Sequence, residues 1–285
     1  MLTQCGTEKF DLSSVPRYLK YKIQFAKEHP DYFDPDGLLI FVGPQGSGKT
    51  ISAVNYIYKV MELYPKCKLV TNVMLTDYPV VTYDSFWELR QEELESLKGY
   101  YNEEELPDIM WIRYKQENRI FEFLDNDDFK KYDNDDYGLL FFVDEIQLYL
   151  NSLESKNVNM DTMTQISQQR KQRKHIVCTS QVYGRMAKPL REQFSDVVVC
   201  KNFMSILQVN KLVNRDSLST ESSSGTEISG EVKKKFMWLH DPYMYKRYDT
   251  YYVIERGKFV SAEKQVKEIY QNDRVRLPDN SKLDS

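Results

Sequence analysis

The apolar run Leu38-Leu39-Ile40-Phe41-Val42 leads straight into Gly43-Pro44-Gln45-Gly46-Ser47-Gly48-Lys49-Thr50, and this join restricts the fold more than any other part of the 285-residue chain. The run has the texture of a parallel strand buried on both faces. Behind the loop, Ile51, Val54, Ile57, Tyr58 and Met61 recur at helical spacing, which predicts an amphipathic helix starting at Lys49. Strand, glycine loop and helix in this order fit the phosphate-loop pattern G-x-x-x-x-G-K-[ST] in full. Three glycines let the backbone curl with its N–H groups pointing inward, and the helix N-terminus adds partial positive charge, so a polyphosphate is favoured. Lys49 is expected to reach the β- and γ-phosphates and the Thr50 hydroxyl to ligate Mg²⁺, which makes ATP and Mg²⁺ the expected cofactors.

A second apolar run, Leu139 to Val143, ends in Asp144-Glu145. Acidic residues at the carboxyl edge of a parallel sheet lie in the crevice where ligands bind. Asp144 is expected to hold Mg²⁺ through a water, and Glu145 to polarise an attacking water. Further on, Arg170 precedes a short strand, Ile176 to Thr179, that ends at Ser180-Gln181. An amide at that strand tip can sense the γ-phosphate or orient the water. An arginine at the end of the preceding helix can face a neighbouring subunit and stabilise transition-state charge in trans. The plainer readings are a strand-end amide and a basic residue favoured by the helix dipole.

Strands separated by helical stretches predict an α/β fold, a mainly parallel central sheet flanked by helices, with a β-rich C-terminal appendage. Residues 1–36 read as a helical lead-in ending in the turn cluster Phe33-Asp34-Pro35-Asp36-Gly37. Residues 37–205 form the expected ATPase core. Pro65 ends the first helix, and Lys68 to Leu75 reads as the second strand. Residues 85–137 are acidic and poorly periodic, and are expected to be a peripheral insertion with a solvated surface. Asp161 is expected to cap a helix from Thr162 to about Arg173, and Val197 to Cys200 to form a fifth strand. Residues 206–258 should contain antiparallel strands around a mobile loop at 217–230, and 259–285 a polar tail.

The remaining composition narrows the classes. No apolar stretch approaches the roughly 18 residues a membrane helix needs, and the N-terminus has no basic start followed by an apolar run, so neither membrane insertion nor secretion is expected and the cytoplasm is the expected location. Cys5, Cys67, Cys178 and Cys200 form no paired motif, which argues against zinc and disulfides. A formal net charge of −4 argues against nonspecific coating of nucleic acid, so contact with DNA would have to come from local basic clusters.

Phosphate loop, Asp-Glu strand, arginine, short strand and terminal Gln together resemble the FtsK/HerA superfamily of DNA-pumping ATPases. Within it the chain is similar to viral genome-packaging ATPases and to the ATPase region of zonular occludens toxin-like phage assembly proteins, over roughly residues 37–255. The segment Tyr245-Lys246-Arg247-Tyr248-Asp249-Thr250-Tyr251 is similar to a Tyr-Asp-Thr ending in that group. The resemblance implies a double-stranded DNA translocase working as a homo-oligomeric ring, with a viral portal or a membrane assembly as docking partner. Two departures stand out. The membrane segment of toxin-like proteins is missing, and the glycine expected after the arginine is replaced, with Arg173 and Lys174 nearby, so Arg170 is the trans arginine by spacing and Arg173 the alternative. Basic clusters that could grip DNA are Arg170, Lys171, Arg173 and Lys174; Arg185, Lys188 and Arg191; and Lys233 to Lys235. Other readings of the same motifs are an ATPase for phage extrusion or conjugative transfer, a small-molecule kinase and a nucleotide-dependent switch. Glu145 beside Asp144 disfavours the kinase.

Overall fold

A computed structural model describes residues 14–34, 37–102, 104–134, 137–150, 160–169, 171–214, 217, 219–220, 228–249, 253–255 and 258–260. Seven strands, β1 (Leu38–Val42), β2 (Lys68–Thr71), β3 (Ile120–Glu122), β4 (Leu139–Val143), β5 (Lys174–Ser180), β6 (Asp196–Phe203) and β7 (Leu207–Val213), share one sheet with the later strand β10 (Val232–Leu239). Two short antiparallel pairs, β8 (Ser219–Thr220) with β9 (Ile228–Ser229) and β11 (Val253–Glu255) with β12 (Lys258–Val260), stand outside it. The order across the sheet is β10-β7-β6-β1-β5-β4-β2-β3. From β6 to β3 all pairings are parallel, whereas β7 and β10 run antiparallel along one side.

Each central strand is buried on both faces, as its apolar texture predicts. Leu39, Phe41, Leu140, Phe142 and Val177 face one core, shared with α2 (Lys49–Leu63) after α1 (Ser14–Glu28). Leu38, Ile40, Val42, Phe141 and Val143 face the other. That second core is covered by α3 (Tyr83–Leu89), α4 (Gln91–Leu97), α5 (Leu106–Glu117), α6 (Asp128–Lys131) and α7 (Met160–Ser167). The later helices are α8 (Lys188–Arg191) and α9 (Pro242–Tyr245).

The acidic segment 85–137 is therefore not peripheral. It supplies β3 and buries Leu94, Leu97, Met110, Tyr114, Phe121, Phe123 and Phe129, its apolar residues facing inward between the charged ones. The second strand stops at Thr71 rather than Leu75, because Asn72 turns to bond the Asp144 backbone. The helix expected over 162–173 is α7, which already includes Asp161, so that residue is not its cap. The chain turns early because Lys174 N–H returns to the Gln169 carbonyl and Leu139 N–H takes the Arg173 carbonyl, which extends β5 to Lys174. The stretch after residue 205 joins the core sheet directly through the β6–β7 pairing. Most of the loop 217–230 and the tail after residue 260 lie outside the described residues.

Candidate active site

The parallel order β1-β5-β4 sets three strand tips side by side: the phosphate loop after β1, Gln181 after β5, and Asp144-Glu145 after β4. The loop bends as the glycines predict. Gly46 and Gly48 adopt φ of 75° and 79°, a left-handed conformation that suits glycine. At Gly43 a side chain would also collide with the Cys200 carbonyl, its Cβ coming within 2.8 Å. At Gly48 it would strike Gln208. Lys49 is buried, its ammonium donating to the Pro44 carbonyl at 3.2 Å and lying 4.0 Å from Glu145 Oε1.

Thr50 Oγ1 donates to Asp144 Oδ1 at 3.1 Å, so the two expected Mg²⁺ ligands are already adjacent. Thr179 Oγ1 donates to the same Asp144 oxygen at 2.6 Å and accepts from Glu145 N–H at 2.9 Å. Burial pushes the Asp144 carboxyl up to about 6, against the Thr179 bond and with Glu145 adding repulsion; the Thr50 bond and the Lys49 charge also pull it down. Glu145 holds φ at 52°, an uncommon conformation for a residue with a side chain. Its N–H is anchored by Thr179, and its Oε1 accepts from Gln181 Nε2 at 2.8 Å and its Oε2 from Gln181 N–H at 3.3 Å. Gln147 Nε2 donates to the same carboxylate.

Of the predicted site residues, the structure thus brings together Gly43 to Thr50, Asp144, Glu145 and Gln181. Arg170 lies outside the described residues. Arg173 immediately precedes β5, at the end of that strand opposite Gln181, with φ of 50° and its guanidinium 4.8 Å from the Tyr32 ring centre. The structure does not bring it to the nucleotide site of its own chain. Lys174, placed in a basic cluster from sequence, is buried and donates to the Phe129 carbonyl at 3.0 Å, so it cannot contact DNA. Arg185 and Lys188 are exposed just beyond Gln181, and Lys188 lies 3.8 Å from Glu192.

Several site residues escaped the sequence reading. Asn72 braces Asp144 from both sides, accepting from its N–H at 2.8 Å and donating to its carbonyl at 2.9 Å. Thr179 couples the two acids. Gln208 on β7 is fully buried, donates to the Ser47 carbonyl at 3.0 Å and to Asn210 at 2.8 Å, and its Oε1 meets His240 Nε2 at 3.0 Å. Tyr245 closes this chain on His240 Nδ1. Tyr248 bridges to Leu75, and burial, then the charge of Asp144, push its phenol up to about 12. The signal for Asn72 and Thr179 was a polar residue at the carboxyl tip of an apolar strand. Gln208 carried no such signal, because only the β6–β7 pairing places it under the loop.

No protein-family model matches the chain, and no curated protein matches it either. Among solved structures it is similar to the N-terminal domain of zonular occludens toxin from Neisseria meningitidis, at 14% identity and a TM-score of 0.45, covering 75% of this chain and 98% of that one. It is also similar to the genome packaging NTPase B204 of Sulfolobus turreted icosahedral virus 2 in complex with ATP-gammaS, at 12% identity and a TM-score of 0.41, covering 73% and 98%. The flagellar accessory protein FlaH of Methanocaldococcus jannaschii aligns at 14% identity with a TM-score of 0.37, over 79% and 88%. The chain's own strand order, glycine loop and facing acidic pair make it an α/β P-loop NTPase fold.

Proposed function

We propose that this chain hydrolyses ATP to drive double-stranded DNA, as one subunit of a homo-oligomeric ring that packages a viral genome and docks on a portal. The observation that carries the hydrolytic reading is Glu145, held beside Lys49 by Gln181 and Thr179 on the strand between the phosphate loop and Asp144. A carboxylate so placed can take the proton of an attacking water, and hydrolysis is proposed over a kinase reaction on that ground.

The residues present fit Mg²⁺ and a polyphosphate. Ser47 Oγ is buried in the cradle with no hydrogen-bond partner among the described residues, and Thr50 and Asp144 offer hard oxygen donors side by side. Lys49 would bind the β- and γ-phosphates, with Thr50 and Asp144 holding the metal. Bound Mg²⁺ would supply charge neutralisation at the phosphate oxygens. Glu145 would orient the attacking water and accept its proton on the carboxylate, while Gln181 fixes that carboxylate. Arg170 or Arg173 of a neighbouring subunit would stabilise the charge that develops.

DNA contact is supported by Arg185 and Lys188, exposed immediately after Gln181, so a change at the nucleotide site could move them. Such contact releases counterions. Phosphate release should therefore rise on adding duplex DNA, and the stimulation should fade with salt. Reversing Arg185 and Lys188 together should remove the stimulation and spare the basal rate. Indifference to duplex DNA at low salt, in a confirmed oligomer, would replace the packaging reading with an ATPase for phage extrusion or a nucleotide-dependent switch.

A further inference from the structure

A cavity of about 440 Å³ opens beside the edge strand β3, four strands from the phosphate loop. Tyr83, Trp111, Tyr114 and Tyr132 form its walls. Trp111 lies 5.3 Å from Tyr83, 5.4 Å from Tyr114 and 5.6 Å from Tyr132 between ring centres, so the four rings make one cluster. Three carboxylates line the cavity with this cluster, those of Asp84, Glu122 and Asp128; Asp84 is exposed, and the two buried ones differ. Asp128 is fully engaged: it accepts from the N–H groups of Leu124 and Asp125, and pairs with Lys131 at 3.1 Å. Lys131, the cation on the cavity wall, is also drawn to Asp125 at 3.5 Å. Glu122 is only 9% exposed, and its carboxylate has neither a hydrogen bond nor an ion pair among the described residues.

A buried carboxylate without a partner is costly, because it gives up water and gains nothing. Burial first, and then the negative charges of Asp84 and Asp128, push the Glu122 carboxyl up to about 7. A cation in the cavity would relieve both effects. Aromatic faces attract cations as well, more strongly where water is excluded. An anion would be repelled by the acids, and a neutral ligand would leave Glu122 unpaired. The volume lies in the range of small-molecule sites.

We propose that this cavity binds an organic cation, a guanidinium or ammonium group on a short aliphatic chain, with Glu122 as its counter-ion and the aromatic walls as its cage. The site is separate from the nucleotide site and does not depend on the function proposed there.

The test uses the full chain and follows tryptophan fluorescence during titration with three probes. These are agmatine, a capped Gly-Arg-Gly peptide and the same peptide with citrulline, which keeps the shape of arginine without its charge. Saturable binding of agmatine or of the arginine peptide is expected, with the citrulline peptide weaker by about tenfold or more. Tighter binding of agmatine identifies a free amine as the ligand, and tighter binding of the arginine peptide identifies a protein side chain. Glu122→Gln should weaken the cation by about tenfold while leaving the fold intact, and Trp111→Phe should remove the fluorescence change while calorimetry still detects the cation. Absence of saturable binding by either cation would overturn the proposal, as would citrulline binding equally well or Glu122→Gln binding unchanged.

Discussion

Thr179→Val probes the coupling of the two acids at the centre of the site. The substitution keeps shape and volume and removes only the hydroxyl, which is fully buried between the Asp144 carboxylate at 2.6 Å and the Glu145 N–H at 2.9 Å. The first bond goes to a charged group and contributes about 1.5–3 kcal/mol; losing the second orphans a backbone donor, which costs about 1–3 kcal/mol. A loss of about 3 kcal/mol in stability is expected once the local structure relaxes, with 1.5 kcal/mol as a floor. Glu145 would also lose the contact that holds its left-handed backbone, so kcat should fall by about tenfold, equivalent to about 1.4 kcal/mol of transition-state stabilisation. Thr179→Ser supplies the control. It keeps the hydroxyl and gives up one methyl group, about 1 kcal/mol, so its kcat should stay near wild type. Urea unfolding and steady-state phosphate release measure the two quantities. A valine variant within about 0.5 kcal/mol of wild type with unchanged kcat would refute the reasoning.

Glu122 gives a pH prediction. Its carboxyl is raised from 4.5 to about 7 in the folded chain, so folding takes up a proton, and stability from this group is full below about 4.5 and lost as pH rises through 7. The loss is about 3 kcal/mol, and the difference between wild-type and Glu122→Gln unfolding curves should grow by that amount from pH 4.5 to 8 in cation-free buffer; parallel curves would contradict it. Gln208→Leu leaves the Ser47 carbonyl without its donor at 3.0 Å, so the KM for ATP should rise by about five- to tenfold with a smaller change in kcat. An unchanged KM would mean that β7 does not set the loop. For action in trans, subunits carrying Arg170→Ala should regain activity when mixed with subunits carrying Lys49→Ala, and failure in verified mixed rings would count against it; the same mixture with Arg173→Ala decides between the two arginines.

The nucleotide site was legible wherever one short segment carries its own chemistry. The loop from Gly43 to Thr50 and the apolar strand ending in Asp144-Glu145 each announce strand and tip in consecutive residues. Gln181 was legible by the same rule, and its bond to Glu145 gives it a place beside that acid. What sequence could not supply is the lateral order of the strands. Thr179 matters because β5 lies between β1 and β4, and Gln208 matters because β7 folds back along β6 beneath the loop. Segment 85–137 was misread for a related reason: its acidic residues dominate the composition, while its buried apolar residues are spread over four helices, a three-residue strand and the turn after it. Lys174 looked like part of a basic surface, but pairing with Leu139 draws it into the sheet, where its stem is buried and its ammonium reaches a carbonyl.

The role proposed for Glu145 is to activate the water at a site built from the phosphate loop and Asp144. Glu145→Gln tests it most directly, with ATP affinity and phosphate release measured on the same preparation. The amide keeps the shape and cannot take a proton. Glu145→Gln should bind ATP with near wild-type affinity and hydrolyse it at least about a hundredfold more slowly. Wild-type phosphate release by Glu145→Gln, with ATP bound normally, would contradict that role.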